Sequence, residues 1–543
     1  MSKKLIVVLL TSIVVLGGFL RFYKLGDTGL GFFRDEAALG FNTWSLLSTG
    51  ADEYGQRFPI IFRSFEVFFL PAYVYLSVPI FFLLGPTFFA ARALSAISGT
   101  LLILSTFFIA KEIFKSKKVA LTSAILVAVS PWAIFYSRGA FEGNLALLAF
   151  SVGVYLWLKF TNTDKKKYFF LALTFFVFSM YSYQAPRLVT PLFVGVSIVS
   201  QKFWWKKWKL WIFGLFFALL LSLPQLTLIA SPAGYHRAIG VSLFSRDQSP
   251  PGYSHQLGDW QKLYLVPKEF LSLYLHYFSP SNLFWQNDYN PQRRVEGYSV
   301  FYLWQLPLLL IGVWTFFKKK FKGSKYFLFW LALAPIPAAL TADPFHTYRA
   351  ILLFLPLTLL AALGFGQLLS LSNKMKNMVI FASFVVILYS VFAYFFGLLE
   401  LTPITRWRDW DYGYEEVSQF IKDQPSSLRV VIDDPNTESY IHLLFNQVIP
   451  ISQYQQAAAS RVGGDYYKNP DVLRPEKIGR FELRSVDWPS ERGDKDTLFV
   501  FPSNRLYPSE FSGDPKLNLE KTILAPSGEP AFYIIRTVSK NSW

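Results

Sequence analysis

The chain contains no cysteine in 543 residues, which excludes disulfides, thiol catalysis and thiolate metal sites together. Charge is scarce as well. Asp, Glu, Lys and Arg make up 16% of the sequence, where a soluble globular chain carries about 25%. The five histidines are scattered without ligand spacing, so no zinc site is expected. A Gly-rich phosphate loop, low-complexity segments and convincing short repeats are all missing, so neither a nucleotide site nor a bound cofactor is expected. What remains is apolar: 52% hydrophobic residues, 19% aromatic residues and a mean hydropathy of +0.31. Runs near the ~20 residues needed to cross hydrocarbon recur until about residue 400, so the chain is read as polytopic. The first run is long, lacks a small-residue cleavage site and leads into further runs, which reads as an anchor rather than a removed signal peptide.

The net charge of +17 raises the question of nucleic acid. Its basic residues, however, cluster in short loops between apolar runs, which is how a membrane protein marks its cytoplasmic face. Lys3-Lys4 therefore places the N-terminus inside. The expected spans are 5–20, 90–109, 119–136, 145–159, 168–183, 188–200, 210–229, 298–317, 326–341, 351–369 and 378–397. Residues 71–84 are read as interfacial or re-entrant, because a further full span would put the lysine cluster at 111–118 outside. With about eleven spans, every lysine-dense loop falls on one side. The loops with isolated acids, Arg, His and Gln fall on the other.

The fold expected is thus a polytopic α-helical membrane protein over 1–400, with a first extracytoplasmic loop at 22–68 and an extracytoplasmic α/β domain over 401–543. In that last part apolar runs shorten and Pro, Asp, Asn and Gly rise. Strands are expected at 429–432, 498–501 and 532–535, and helices at 414–422 and 438–445. Strand–helix alternation of this kind makes a small α/β domain.

Charges beside a bilayer are functional suspects by default. The first are Asp35-Glu36, just after the first span. They read either as a helix N-terminus, where acids gain about 0.3–1 kcal/mol from the dipole, or as a general base facing the outer surface. A second pair, Asp52-Glu53, is expected to cap another short helix. Further along, Tyr136-Ser137-Arg138-Gly139-Ala140-Phe141-Glu142, Tyr181-Ser182-Tyr183-Gln184-Ala185-Pro186-Arg187 and Ala342-Asp343-Pro344-Phe345-His346-Thr347-Tyr348-Arg349 are junctions on the same face. Each alone reads as an ion pair or headgroup contact. Together they supply cations for a phosphate and acids for a hydroxyl, the two needs of a phosphorylated lipid donor. Tyr253, Trp260, Trp285 and Tyr289 in the long outside loop suit either sugar stacking or an interfacial belt.

The segment Phe33-Arg34-Asp35-Glu36-Ala37 resembles the first-loop acidic motif of GT-C glycosyltransferases that use polyprenyl-phosphate sugars, above all the family 39 group of protein O-mannosyltransferases and the lipid A aminoarabinose transferase. Leu83 to Arg92 with Ser95-Ala96, Ser130-Pro131-Trp132 through Glu142, and Tyr183 to Arg187 extend the resemblance. It implies inverting transfer of a sugar from a polyprenyl-phosphate carrier to an acceptor hydroxyl on a protein, lipid or glycan, at the outer face of the bilayer. Asp35 would be the base, with Glu36 positioning it or the acceptor. Glu142 would lie near the sugar, and Arg138, Arg187, His346 and Arg349 would contact phosphate or sugar. Relatives commonly carry a Lys-Pro-Pro segment where this chain has Leu70-Pro71-Ala72, so Arg63 or Arg57 would take the lysine's place. The rival readings are a ligase or polymerase of lipid-linked glycans, a lipid or sugar transporter or flippase, and an inactive transferase fold. Transporters place charge near the midplane in paired repeats, whereas here it sits at one face.

Overall fold

The computed structural model describes residues 2–65, 67–229, 231, 243, 259–462, 466–467, 474–494 and 496–538. Its contacts divide the chain into two units, Met1–Leu25 with Arg92–Gly397 and Gly26–Ala91 with Leu398–Trp543.

The first unit is helical. Helices Lys3–Phe22, Phe88–Phe114, Lys117–Val129 with Pro131–Ser137, Glu142–Thr163, Lys166–Ser182, Gln184–Val199, Trp208–Ile229, Gln305–Lys318, Ser324–Leu333, Phe354–Leu368 and Asn373–Phe396 run through the apolar segments named above. Among the described residues six helices are long and apolar enough to cross a membrane, and a bent pair makes a seventh. Phe381 and Phe392, on the last of these helices, are 71% and 72% exposed. So much apolar surface on one helix fits lipid contact, not water.

The bent pair shows how the sequence sets local structure. Pro131 has no N–H to donate into the preceding turn, and the helix axis turns by 54° between Val129 and Pro131. The amide of Trp132 goes instead to Val300 O at 3.3 Å. Arg21, fully buried, donates to the carbonyls of Ala128 (3.0 Å) and Val127 (3.0 Å), to Gly17 O (2.8 Å) and to Ser137 Oγ (3.2 Å). One guanidinium thus satisfies the carbonyls that proline frees, which inside a bilayer nothing else would do. Close packing is set elsewhere by glycine. A Cβ at Gly312 would collide with Leu360 O, and one at Gly364 with Leu308 O, so helices Gln305–Lys318 and Phe354–Leu368 approach backbone to backbone.

The second unit begins with helix Arg34–Thr49, ended by Gly50 in the left-handed conformation. A hairpin follows, of strands β1 (Phe62–Ser64) and β2 (Val67–Phe69). Helix Pro71–Leu84 comes next, apolar along its 14 residues, or about 21 Å at 1.5 Å per residue, short of a ~30 Å hydrocarbon core. No helix forms after Asp52-Glu53, contrary to expectation. Asp52 Oδ1 accepts from the amides of Tyr54 and Gln56, both at 2.9 Å, and closes a turn there.

The remainder of the unit carries a mixed sheet. Its strands are β3 (Arg429–Asp433), β4 (Lys477–Ile478), β5 (Phe481–Arg484), β6 (Thr497–Pro502), β7 (Leu517–Leu524) and β8 (Pro530–Thr537), in the order β4-β5-β3-β6-β8-β7. β3 is parallel to both β5 and β6, and the outer pairings are antiparallel. Buried through Val430, Val431 and Ile432, β3 reads as a continuous apolar run, as a covered central strand should. Val431, Phe499, Phe501, Tyr533 and Ile535 build one face of its core with Trp488. The chain passes from β3 to β5 on one side and then to β6 on the other. That reversal opens a crevice at the carboxyl ends of β3 and β6.

Candidate functional site

In the second unit the acid pair opens helix Arg34–Thr49. Glu36 is buried and its Oε2 accepts from Phe33 N at 3.3 Å, a cap on the first turn. Arg34 is fixed by Asp411, whose Oδ2 accepts from the Arg34 amide (3.0 Å) and Nε (3.1 Å) while Oδ1 accepts from Nη2 (2.9 Å). Glu438 takes Nη1. Burial pushes the Asp411 carboxyl up, but His442, with Nε2 at 3.6 Å, and Arg34 outweigh it and hold the group below the usual carboxylate range. Gly31, at φ +87°, lets the chain enter. A Cβ there would lie 2.6 Å from Trp410 O and 2.8 Å from Tyr412 Cα. Between these two anchored neighbours sits Asp35, half-buried in the helix's first turn.

The Asp52-Glu53 pair is interior. Glu53 Oε2 accepts from Asn42 Nδ2 (2.9 Å) and from Ser64, and Oε1 accepts from the Tyr440 hydroxyl (2.7 Å). Burial, only partly offset by these bonds, raises its pKa to about 7. Asp52, bonded to Tyr466, is raised to about 6 by the same cause. Arg63 is fully buried, its guanidinium over Tyr54 and Phe68 at 5.8 and 5.5 Å, and its charge opposes the rise at Asp52. The sequence proposed it as a donor contact; its place in the structure is inside this network.

In the first unit the junction residues separate by their hydrogen bonds. Arg138 donates Nη1 to Tyr23 O at 2.6 Å and to Leu20 O and Arg21 O at 3.3 Å, capping the end of helix Lys3–Phe22. Arg349 bonds Asp343 Oδ2 at 2.9 Å, and its amide donates to His346 Nδ1 at 3.2 Å. Glu142 starts helix Glu142–Thr163, whose Gly143 amide donates to Tyr348 OH at 2.8 Å. Tyr348 packs against Ala146, Tyr183 and Ala185 and stacks on Tyr136 at 5.1 Å. Arg187 differs. Nη1 donates to Gln184 Oε1 at 3.0 Å, while Nε and Nη2 are buried and reach no acceptor among the described residues. It lies in the first turn of helix Gln184–Val199, where the dipole also favours an anion. Among the described residues no group of His, Asp and Glu is arranged to hold a metal ion.

Sequence reasoning passed over Asp411, His442 and the Asp288 centre. Asp288 is buried, takes Arg293 through both oxygens, and accepts from the Thr347 amide and hydroxyl at 2.8 and 2.6 Å. A turn-rich Trp410-Asp411-Tyr412-Gly413 segment just past the last apolar run was the available signal for Asp411; Asp288 had only Arg293 five residues on. Of the loop aromatics, Tyr253 and the side chain of Trp260 lie outside the described residues, and Trp285 and Tyr289 are exposed.

Residues 71–227 match the family model described as dolichyl-phosphate-mannose-protein mannosyltransferase. A search of the curated proteins finds no match. Among solved structures the chain is similar to ArnT from Cupriavidus metallidurans bound to undecaprenyl phosphate, at 12% identity and a TM-score of 0.58 over 99% of both chains. It is also similar to the archaeal oligosaccharyltransferase AglB from Archaeoglobus fulgidus, solved with an inhibitory peptide and a dolichol-phosphate. There the identity is 12% and the TM-score 0.50, over 82% of this chain and 64% of that one. An apo form of ArnT from the same organism matches at 12% identity and a TM-score of 0.54, over 98% of each chain. With its apolar helices, its mixed C-terminal sheet and these likenesses, the chain is a multi-pass membrane protein of the GT-C glycosyltransferase fold.

Proposed function

We propose that the protein is an inverting glycosyltransferase that moves a sugar from a polyprenyl-phosphate carrier to an acceptor hydroxyl on the extracytoplasmic side, with its N-terminus inside. The observation that carries this reading is Arg187. Two of its guanidinium nitrogens are buried without an acceptor among the described residues, a costly arrangement that a phosphate oxygen would relieve. The likeness to a structure holding undecaprenyl phosphate supports the same donor class.

Phosphate leaves readily, so the reaction needs a base, a cation and orientation more than a general acid. Asp35 takes the acceptor proton as the hydroxyl oxygen attacks the anomeric carbon. Arg187 meets the charge that grows on the departing phosphate. Glu36 fixes the helix turn that carries the base, and Glu142 bonds hydroxyls of the sugar. Arg349 and His346 are further contacts for the phosphate or the sugar.

Purified protein in nanodiscs, given radiolabelled polyprenyl-phosphate sugars and candidate acceptors, tests the proposal. Wild type transfers label and Asp35→Asn loses at least a hundredfold in kcat, within the 10²–10⁴ range of general-base catalysis. Transfer by Asp35→Asn at the wild-type rate would refute the base assignment.

A further inference from the structure

We propose that the crevice at the carboxyl ends of β3 and β6 is a binding site for a neutral saccharide unit. The cavity measures about 320 Å³ and lies wholly within the second unit. That is at the small end of the roughly 300–1,000 Å³ of small-molecule sites, room for one or two sugar rings. Its position is where open sheets with reversing strand order bind ligands. Residues directly after β3, Asp434 and Asn436, form one wall, and Ser503 and Asn504, directly after β6, form another.

The lining decides the ligand's class. Each arginine of the cavity is already neutralised: Arg34 by Asp411 and Glu438, Arg505 by Asp433 (Nε to Oδ2 at 2.7 Å, Nη2 to Oδ1 at 3.2 Å), and Arg408 by Glu529 at 3.2 Å. An anion therefore meets no uncommitted cation, and the described residues offer no metal cluster for a cation. Asp434 accepts from the amides of Ser439 (2.6 Å) and Asn436 (3.2 Å) and reaches no cation at ion-pair distance among the described residues, leaving lone pairs for hydroxyl donors. The Asp434 carboxylate, held by those two amides, and the side-chain amides of Asn436 and Asn504 line the cavity with the half-buried ring of Tyr412, the acceptors, donors and apolar face that a ring bearing several hydroxyls requires. Arg34, which lines the cavity, directly precedes Asp35 in the chain. In the proposed reaction the bound unit belongs to the acceptor; that assignment rests on the transferase reading, and the binding itself does not.

The test is saturation-transfer NMR and calorimetry on the full chain in nanodiscs, with methyl glycosides of common hexoses and pentoses and N-acetylglucosamine as probes. At least one glycoside binds. Ser503→Trp, which fills the cavity, abolishes binding, and Asp434→Asn weakens it about tenfold or more. Asn504→Trp replaces Ser503→Trp if that variant does not fold. The proposal falls if no glycoside binds at about 10 mM, if the cavity variants bind like wild type, or if inorganic phosphate or a neutral tripeptide displaces the glycoside. Since none of these readings uses transfer, loss of the site leaves the Asp35 test standing, and the converse holds as well.

Discussion

Asp411 holds the acid-pair helix in place, and removing its carboxylate gives a measurable loss. In Asp411→Ala, Arg34 loses acceptors for its backbone amide, Nε and Nη2, and keeps Glu438. Breaking a buried pair by deleting one partner costs about 3–5 kcal/mol. The Arg34 side chain is 34% exposed while that of Asp411 is 9% exposed, so water takes over part of the guanidinium's bonding. The expected loss is therefore about 2 kcal/mol, or about 4–8 °C in the unfolding temperature of a unit this size. A double-mutant cycle with Arg34→Met isolates the pair, with a coupling of about 1–2 kcal/mol. The folded-state pKa of Asp411 is below its unfolded value, so its contribution is present above the unfolded value and is lost as pH falls through the folded one. Asp411→Ala should lack that acid limb. Tryptophan fluorescence during thermal unfolding, followed from pH 7 to acid, reads both effects. Additive single variants, or an unchanged acid limb, would refute the account of how the helix start is fixed.

Glu53→Gln reverses the usual sign. Its pKa is raised to about 7 by burial, so wild-type stability is full below the unfolded value and declines as pH rises toward 7. The variant should match or trail wild type near pH 5 and exceed it near pH 8 by up to about 3 kcal/mol, with a residual slope from Asp52; parallel profiles would count against this. Gly31→Ala forces a side chain into a left-handed position against Trp410 O, costing about 1–3 kcal/mol and slowing transfer, checked by unfolding and initial rates. Arg21→Lys does not rescue Arg21→Met, because one ammonium cannot reach the Val127, Ala128 and Gly17 carbonyls together. Both variants should unfold earlier than wild type, and equal stability of the three would rule out the role given to Arg21.

The sequence was most legible where one physical signal dominated. Lysine-bounded apolar runs predicted most helices of the first unit, because length and hydropathy alone set them, whereas helix Asp259–His276 falls in the stretch that reads as a long outside loop. The strands at 429–432, 498–501 and 532–535 were visible as short β-branched and aromatic runs, and they form β3, β6 and β8. β7 was missed because its Leu-Asn-Leu-Glu-Lys-Thr-Ile-Leu pattern is mostly solvated at a sheet edge, where no buried face writes an apolar stripe. The turn at Asp52 was read as a helix start because an Asx turn and an N-cap use the same side chain in the same way. Asp411 lies 377 residues from the Arg34 it binds, and no local pattern reports such a pairing.

Arginine at a membrane junction is the signal the sequence supplied, and it does not distinguish a residue that holds the fold from one that holds a substrate. The count of satisfied guanidinium donors does. Arg138 spends Nη1 on three carbonyls of the chain after helix Lys3–Phe22 begins its last turn, whereas Arg187 keeps two buried nitrogens without an acceptor among the described residues. The two should therefore respond oppositely to replacement. Arg138→Met removes satisfied bonds, lowers the unfolding temperature and changes the KM for the polyprenyl-phosphate sugar little in the protein that still folds. Arg187→Met removes a group whose burial costs about 1–3 kcal/mol, so the empty protein holds or gains stability while kcat/KM for the donor drops at least tenfold. Added polyprenyl phosphate raises the unfolding temperature of wild type and of Arg138→Met but not of Arg187→Met, since only a group that binds the anion links it to stability. If both variants lost stability and donor response alike, donor counting would not separate scaffold from site, and Arg187 would be one more cap.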